Sequence, residues 1–297
     1  MTTETWIEVR LLVPARMQEE ASCFLTDFSG RGVILEEDLA SKGVLIRAYF
    51  RPEEFGPWQQ QELEEYLGRL AAYDLSPLGL ETRQVAAEDW AEVWKTHFKT
   101  RKVTASLVIC PPWESYEPAP EEIAITIYPG MAFGTGRHPT TVLCLQALER
   151  IWSRESLPPA GGSWQVLDVG TGTGILALAA ARLGARVLAI DVDEEAVAAA
   201  WDNVRLNALE DQVLVESTPL DRLREQFALI LANLTSQDLQ QLAEALAGRL
   251  LAGGSLIISG FLKEDLPAVL PRFLTMGLKE AGCLIQEDWA ALILRRP

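Results

Sequence analysis

The stretch Val166-Leu-Asp-Val-Gly-Thr-Gly-Thr-Gly-Ile-Leu-Ala-Leu-Ala-Ala-Ala-Arg-Leu-Gly-Ala-Arg-Val-Leu-Ala-Ile-Asp191 decides the fold. An apolar run too short for a helix reaches the acid Asp168, and three alternate glycines, Gly170, Gly172 and Gly174, follow. The run from Ile175 to Ala181 then resumes at helical composition and leads to a second apolar run closed by Asp191. Strand, glycine loop, helix and strand make one βαβ unit, with its ligand edge at the strand ends.

What the loop lacks narrows what it holds. The dinucleotide fingerprint G-x-G-x-x-G, counted from Gly170, requires a glycine where Ile175 stands. Asp168 sits just before the loop, where a carboxylate repels a pyrophosphate and attracts an ammonium or a sulfonium. Asp191 stands at the tip of the next strand, and its two oxygens suit the vicinal hydroxyls of a ribose. A ribose-bearing, phosphate-free, cationic cofactor is S-adenosyl-L-methionine, and Asp168, Gly170, Gly172 and Asp191 are its expected contacts. The competing reading is a nucleotide site with a degenerate loop. The joint occurrence of acid, loop and second acid favours the methyl donor.

Composition bounds the rest. A chain of 297 residues with 48% hydrophobic content accommodates two domains and a substantial core, and no apolar run reaches the length of a membrane span. The N-terminal Met-Thr-Thr-Glu-Thr-Trp-Ile-Glu has no basic segment followed by an apolar one, so a cytoplasmic location is expected. Cys23, Cys110, Cys144 and Cys283 are scattered without a C-x-x-C pair, which argues against a disulfide framework and against a zinc site. The net charge of −16, from 42 acidic and 26 basic residues, disfavours nucleic-acid binding and is compatible with a basic protein partner.

The N-terminal segment reads β-α-β-β-α-β. Strands are expected at residues 5–13, 32–36, 44–50 and 78–85, and helices at 18–28 and from Pro57 to Tyr73. That order is the ferredoxin-like split βαβ pattern. Fifteen acidic and eight basic residues lie in positions 1–85, and the basic, aromatic sheet face expected of an RNA reader is missing from the sequence pattern. Trp90, Trp94 and Phe98 stand four apart beside His97 and make one helical stripe, a packing face. Val103–Cys110 and Ile123–Tyr128 read as a hairpin.

The second informative segment is Pro129-Gly-Met-Ala-Phe-Gly-Thr-Gly-Arg-His-Pro-Thr-Thr141, which leads into a helix that Pro139 can start. It reads as a lid over cofactor and acceptor, while a plain turn with His138 and a threonine capping the helix is the simpler account. Threonine hydroxyls at a helix N-terminus can hold the cofactor's carboxylate. Residues 153–163 read as a surface loop. Beyond Asp191 the pattern continues as helix 194–207, strands 213–216 and 227–232, helix 236–250 closed by Gly253-Gly254, strand 255–259, a proline-interrupted helix in 262–276, and a closing hairpin of 283–286 with 290–294.

With these segments together, the chain resembles the PrmA family, the bacterial methyltransferases that trimethylate large-subunit ribosomal protein L11. The carriers are Trp90-x-x-x-Trp94-x-x-x-Phe98, Pro129-Gly-Met-Ala-Phe-Gly-Thr-Gly-x-His-Pro-Thr-Thr141, Asp168-Val-Gly-Thr-Gly-Thr-Gly-Ile-Leu, Ile190-Asp-Val-Asp and Leu231-Ala-Asn-Leu, the second being the most specific. The resemblance spans nearly the whole chain and is weakest over the first 85 residues. It implies an acidic ferredoxin-like substrate-recognition domain (1–85), a helical linker (86–102), and a Rossmann-like, seven-stranded class I methyltransferase domain (103–297). It also implies that Thr141, Gly170, Asp191 and Asn233 contact the cofactor. Tyr128 stands where the family usually has Asp, and Arg137 where it has Thr; both bear on acceptor choice. Asn233 is followed by Leu-Thr rather than by the Pro-Pro-aromatic pattern of nucleobase and amide methylation.

The implied reaction moves methyl groups from S-adenosylmethionine to lysine or N-terminal amines of L11. The alternative is a class I methyltransferase acting on another protein or a small-molecule amine. A free lysine side chain, with a pKa of about 10.4, must first lose a proton. Desolvation beside a cation favours that loss. Asn233 is expected to accept the amine's remaining hydrogens, and His138 is a candidate proton relay. Phe133, Leu234 and Thr140 are expected to line the acceptor pocket. The protein is expected to act as a monomer, away from membranes and without direct nucleic-acid specificity.

Overall fold

The computed structural model describes residues 5–14, 17–29, 33–38, 43–72, 79–86, 98–129, 132–154 and 165–297. The chain divides into two compact units, Met1–His97 and Phe98–Pro297. The first contains β1 (Thr5–Pro14), α1 (Gln18–Ser29), β2 (Ile34–Asp38), β3 (Gly43–Phe50), α2 (Pro57–Ala72) and β4 (Gly79–Ala86). Its sheet runs in the order β2-β3-β1-β4 with every neighbouring pair antiparallel, so β3 splits the parallel β1 and β2. Alternation along β1 puts Val9, Leu11 and Val13 into a core with Ala21 and Leu25 of α1 and Leu63 of α2.

The opposite face of that sheet carries interleaved charges. Glu8 is 1% exposed and its carboxylate accepts from Arg47, Arg83 and the Tyr49 hydroxyl, the last at 2.8 Å. Burial raises its pKa, but the bonds from Arg83 and Tyr49 outweigh this and hold it below the usual carboxylate range. Arg10 pairs with Glu81 at 2.9 Å, and Arg47 also reaches Glu36. The basic side chains of this face are thus matched by acids, and Tyr49 is buried among them.

The second unit contains β5 (Arg101–Lys102), β6 (Leu107–Cys110), β7 (Ile123–Thr126), α3 (Pro139–Arg154), β8 (Val166–Val169), α4 (Ile175–Arg182), β9 (Val187–Ile190), α5 (Glu194–Leu206), β10 (Val213–Glu216), β11 (Phe227–Asn233), α6 (Ser236–Gly248), β12 (Leu250–Leu262), α7 (Leu266–Leu274), β13 (Lys279–Gln286) and β14 (Trp289–Arg295). Seven strands form one sheet in the order β10-β9-β8-β11-β12-β14-β13. The first five are parallel and β14 is antiparallel to its neighbours.

This sheet is covered on both faces. Val166, Val187, Leu229, Leu231 and Ile257 pack with residues of α3 and α4, while Leu167, Leu188, Ile230, Leu256 and Ile258 pack with residues of α6 and α7. Burial on both faces is why these strands read as unbroken apolar runs. The chain leaves β8 toward β9 and β10 and returns to its other side at β11, so the switch point of the topology lies at the C-terminal ends of β8 and β11.

Several expectations need correction. The strands at 103–110 and 123–128 do not form a hairpin: β6 and β7 are parallel, joined by the crossover 111–122, with β5 antiparallel on the far side of β6. Arg101–Lys102, placed in a helical linker, are the strand β5. α6 ends at Gly248, and Gly253-Gly254 lie within β12, where the pairing with β11 jumps from Phe227↔Leu250 to Leu229↔Ser255. The backbone of Gly253, at φ +75°, donates to Arg296 instead of closing a helix. Trp90, Trp94 and His97 lie outside the described residues, as does most of the loop at 153–163.

Candidate active site

The ends of β8, β9 and β11 bring the predicted residues together. Asp168, on β8, lies opposite Leu231 of β11 in the parallel register, and Asn233 is the second residue beyond Leu231. The two-residue period therefore puts Asp168 and Asn233 on one face of adjacent strands. The first turn of α3 lies against this pair, since Asn233 Nδ2 donates to Thr141 Oγ1 at 3.4 Å.

Asp168 is 1% exposed. Its Oδ2 accepts from Thr171 Oγ1 at 2.7 Å and from the Ala177 amide at 3.1 Å, tying the glycine loop and the first turn of α4 to β8. Burial pushes its carboxyl up to about 7, against the pull of these two bonds and with a further push from Asp191. Its Oδ1 is buried and has no partner among the described residues, and the same holds for Asn233 Oδ1. Two orphaned acceptors on one face of adjacent strands mark a place for hydrogen-bond donors that the described residues do not supply.

Asp191 follows β9. Its Oδ2 accepts from the Gly172 amide at 3.0 Å and its Oδ1 from the Asp193 amide at 3.1 Å. Asp193 in turn caps α5 by accepting from Glu195. The loop itself needs its glycines. Gly170 and Gly172 have φ of +68° and +55°, and a Cβ on Gly172 would fall 2.2 Å from the carbonyl oxygen of Phe133.

The stretch 132–138 therefore lies directly on the glycine loop, where a lid was expected. Phe133 is 56% exposed and makes edge contact with His138, ring centroids 5.5 Å apart. His138 makes a second edge contact, at 4.6 Å, with Trp289 of β14, a neighbour the sequence did not single out. The His138 carbonyl accepts from Thr141 and Val142, and its Nδ1 pairs with Thr140 Oγ1 at 2.8 Å, so it caps α3. Burial lowers its pKa. Thr140 and Thr141 are both fully buried, and the Thr140 hydroxyl is engaged in this cap rather than facing an open pocket.

Leu234 follows Asn233, and its amide donates to Ser259 at 3.0 Å. Gly260 makes room for it, because a Cβ there would lie 2.2 Å from the Leu234 carbonyl oxygen. Tyr128, half exposed, is anchored through its amide to Asn203 Oδ1 at 2.7 Å. The Arg137 guanidinium lies 4.7 Å above the Phe98 ring. Asn203 and Thr173, both buried within this arrangement, were not predicted as site residues. The only hint in the sequence was the four-residue spacing of Asn203 and Asn207 along one helix face, and Asn207 likewise holds both polar groups of the Thr126 backbone.

The buried acid Asp168, the partly buried Asp191 and the unpartnered acceptors fit a cationic ligand better than a phosphate. Comparison with known proteins agrees with this reading. Residues 5–297 match the family described as ribosomal protein L11 methyltransferase (PrmA). The chain is 40% identical over 311 aligned residues to the ribosomal protein L11 methyltransferase of Pelobacter propionicus, covering 100% of this chain and 99% of that one. It is 38% identical to the protein of the same name in Geobacter metallireducens, over 98% of each. The crystal structure of a ribosomal protein L11 methylase from Lactobacillus delbrueckii subsp. bulgaricus superposes with a TM-score of 0.59 at 31% identity, covering 67% of this chain and 100% of that one. With its glycine loop, its paired acids and its fold in agreement, the chain belongs to the ribosomal protein L11 methyltransferase (PrmA) family.

Proposed function

We propose that this protein transfers methyl groups from S-adenosylmethionine to lysine side-chain and N-terminal amines of ribosomal protein L11, acting as a monomer in the cytoplasm. The observation that carries the reading is the pair of buried, unpartnered acceptors, Asp168 Oδ1 and Asn233 Oδ1, on one face of adjacent strands beside the acid Asp191. They suit a cofactor that brings positive charge and N–H donors, and they would repel a pyrophosphate. Among the described residues no helix is long and apolar enough to cross a membrane.

When bound, the cofactor supplies a methyl group already activated by its sulfonium charge. The residues of the chain supply position. The two backbone N–H groups that reach Asp191 fix its carboxylate in one orientation and leave each oxygen a lone pair for a ribose hydroxyl. Thr141 tethers the Asn233 amide by its nitrogen, which leaves Oδ1 as acceptor for a hydrogen of the incoming amine. Phe133 and Leu234 offer apolar surface that desolvates the acceptor and favours its neutral form. His138 Nδ1 is committed to Thr140, so the proton that the amine loses as it is desolvated passes to water rather than to that nitrogen.

Incubation of the full chain with labelled S-adenosylmethionine and L11, free and in assembled subunits, followed by mass spectrometry, tests the reading. Methylated amines on L11 are expected. Cofactor binding with no transfer to L11, or transfer to a small amine in its place, would overturn the acceptor assignment.

A further inference from the structure

We propose that Thr173, in the glycine loop, is a positioning residue that clamps the 132–138 segment, so that the loop holding the cofactor also holds the wall of the acceptor pocket. Three observations converge on it. The Thr173 amide donates to the Phe133 carbonyl at 2.9 Å, and the Thr173 hydroxyl donates to the Gly134 carbonyl, both across the loop–lid contact. Thr173 is fully buried, which shields both bonds from water. Each side of the contact also has glycine where a side chain would hold the two apart. A Cβ on Gly172 would lie 2.2 Å from the Phe133 carbonyl oxygen, and one on Gly134, at φ +106°, would lie 2.9 Å from Thr173 Oγ1.

Tyr128, which precedes the segment in the chain, is tied to the same residue. The Thr173 carbonyl accepts from Asn203 Nδ2 at 2.9 Å, and Asn203 Oδ1 accepts from the Tyr128 amide at 2.7 Å. Asn203 is 1% exposed. Tyr128 through Asn203, and Phe133 with Gly134 directly, are thus braced on one residue. This arrangement predicts a division of labour. The backbone groups of Thr173 hold Phe133 and Asn203, and its hydroxyl adds the bond to Gly134. Removing the hydroxyl should loosen the segment at Gly134 without disturbing Asp191 or the glycine conformations.

The inference rests on the proposed reaction for its kinetic readout, and a second readout is independent of it. In the full chain, Thr173→Val keeps the volume and the backbone bonds and removes the hydroxyl; Thr173→Ser keeps the hydroxyl. For Thr173→Val, the affinity for S-adenosylhomocysteine is expected to stay near wild type and the unfolding midpoint to fall by only a few degrees, about the cost of one buried hydrogen bond. Methyl transfer to L11 at saturating cofactor is expected to fall about tenfold, the effect of one buried hydrogen bond. Amide exchange across 132–138 is expected to quicken by about the same factor. Thr173→Ser should restore both. Unchanged exchange and turnover in Thr173→Val would overturn the proposal, as would a loss of cofactor affinity in step with turnover, which would make Thr173 an ordinary part of the cofactor loop. If the wild-type protein methylates nothing on L11, the acceptor reading fails, and the exchange comparison still decides the role of Thr173.

Discussion

Asp168 shows how one buried carboxylate can oppose stability and serve binding. Its folded pKa is pushed up to about 7, while in the unfolded chain it titrates near the ordinary value of about 3.9. Between those values the folded state keeps a proton that the unfolded state has lost. The contribution of Asp168 to stability is therefore fully present below about pH 4 and is lost as pH rises toward about 7. Asp168→Asn keeps an oxygen for Thr171 and Ala177 but does not titrate. Its unfolding midpoint should vary less between pH 4 and pH 8 than wild type and be no lower at pH 8. Its affinity for S-adenosylmethionine should fall about tenfold or more, because an amide cannot match a carboxylate facing a cation. Thermal unfolding with titration calorimetry checks both; a lowered midpoint with unchanged affinity would make Asp168 purely structural. His138 poses the opposite question. Burial depresses its pKa, which widens the roughly four units that already separate an ordinary imidazole from a lysine ammonium and makes it a poor base for one. His138→Asn retains a capping oxygen and should lower turnover only a few-fold through the lost ring contacts, leaving the shape of the pH–rate profile intact. A flattened profile would reinstate it as the proton relay.

At the scale of elements, the loop between β8 and α4 is where glycine is required for two different reasons. On Gly170 a Cβ would meet Leu234 Cδ2 at 2.4 Å, the end of a side chain that can rotate away. On Gly172 it would meet the Phe133 carbonyl oxygen at 2.2 Å, and that backbone is pinned by Thr173. Gly172→Ala is therefore expected to abolish measurable cofactor binding, while Gly170→Ala weakens it about tenfold through the cost of positive φ, on the order of 1–2 kcal/mol. Equal losses in a binding titration would mean that backbone conformation, and not the approach of the lid, decides. The loop was legible in the sequence because three alternate glycines between apolar runs have few other uses, and β8, β9 and β11 were legible because burial on both faces leaves no polar alternation to misread. The β6–β7 pairing was not. Two short strands look alike whether the chain between them turns or crosses over, and residues 111–122 carry no periodicity to say which. Nor were Thr173 and Asn203: a polar residue on a helix or in a loop has the same letter whether it meets water or the orphaned carbonyl of a neighbouring segment.

For the whole molecule, charge is the property that should distinguish how the proposed cofactor and acceptor are held. The chain carries a net −16, and residues 1–85 hold fifteen acidic against eight basic side chains. On the sheet face of the first unit the basic residues are already committed: Arg47 and Arg83 to Glu8, and Arg10 to Glu81. On the proposed reading a basic acceptor protein would be drawn by surface acids over distances that salt screens, with a Debye length of about 10 Å at 0.1 M ionic strength. The proposed cofactor site instead holds Asp168 and Asn233 acceptors in a buried setting, where screening is weak. Raising salt from roughly 0.05 to 0.3 M should therefore raise the KM for L11 about tenfold, leave kcat nearly unchanged, and move the Kd for S-adenosylmethionine less than about twofold. Steady-state kinetics across a salt series, paired with a cofactor titration at each point, makes the comparison. A KM for L11 indifferent to salt would show that the acceptor is gripped through apolar contact and that the acidity of the chain serves solubility alone.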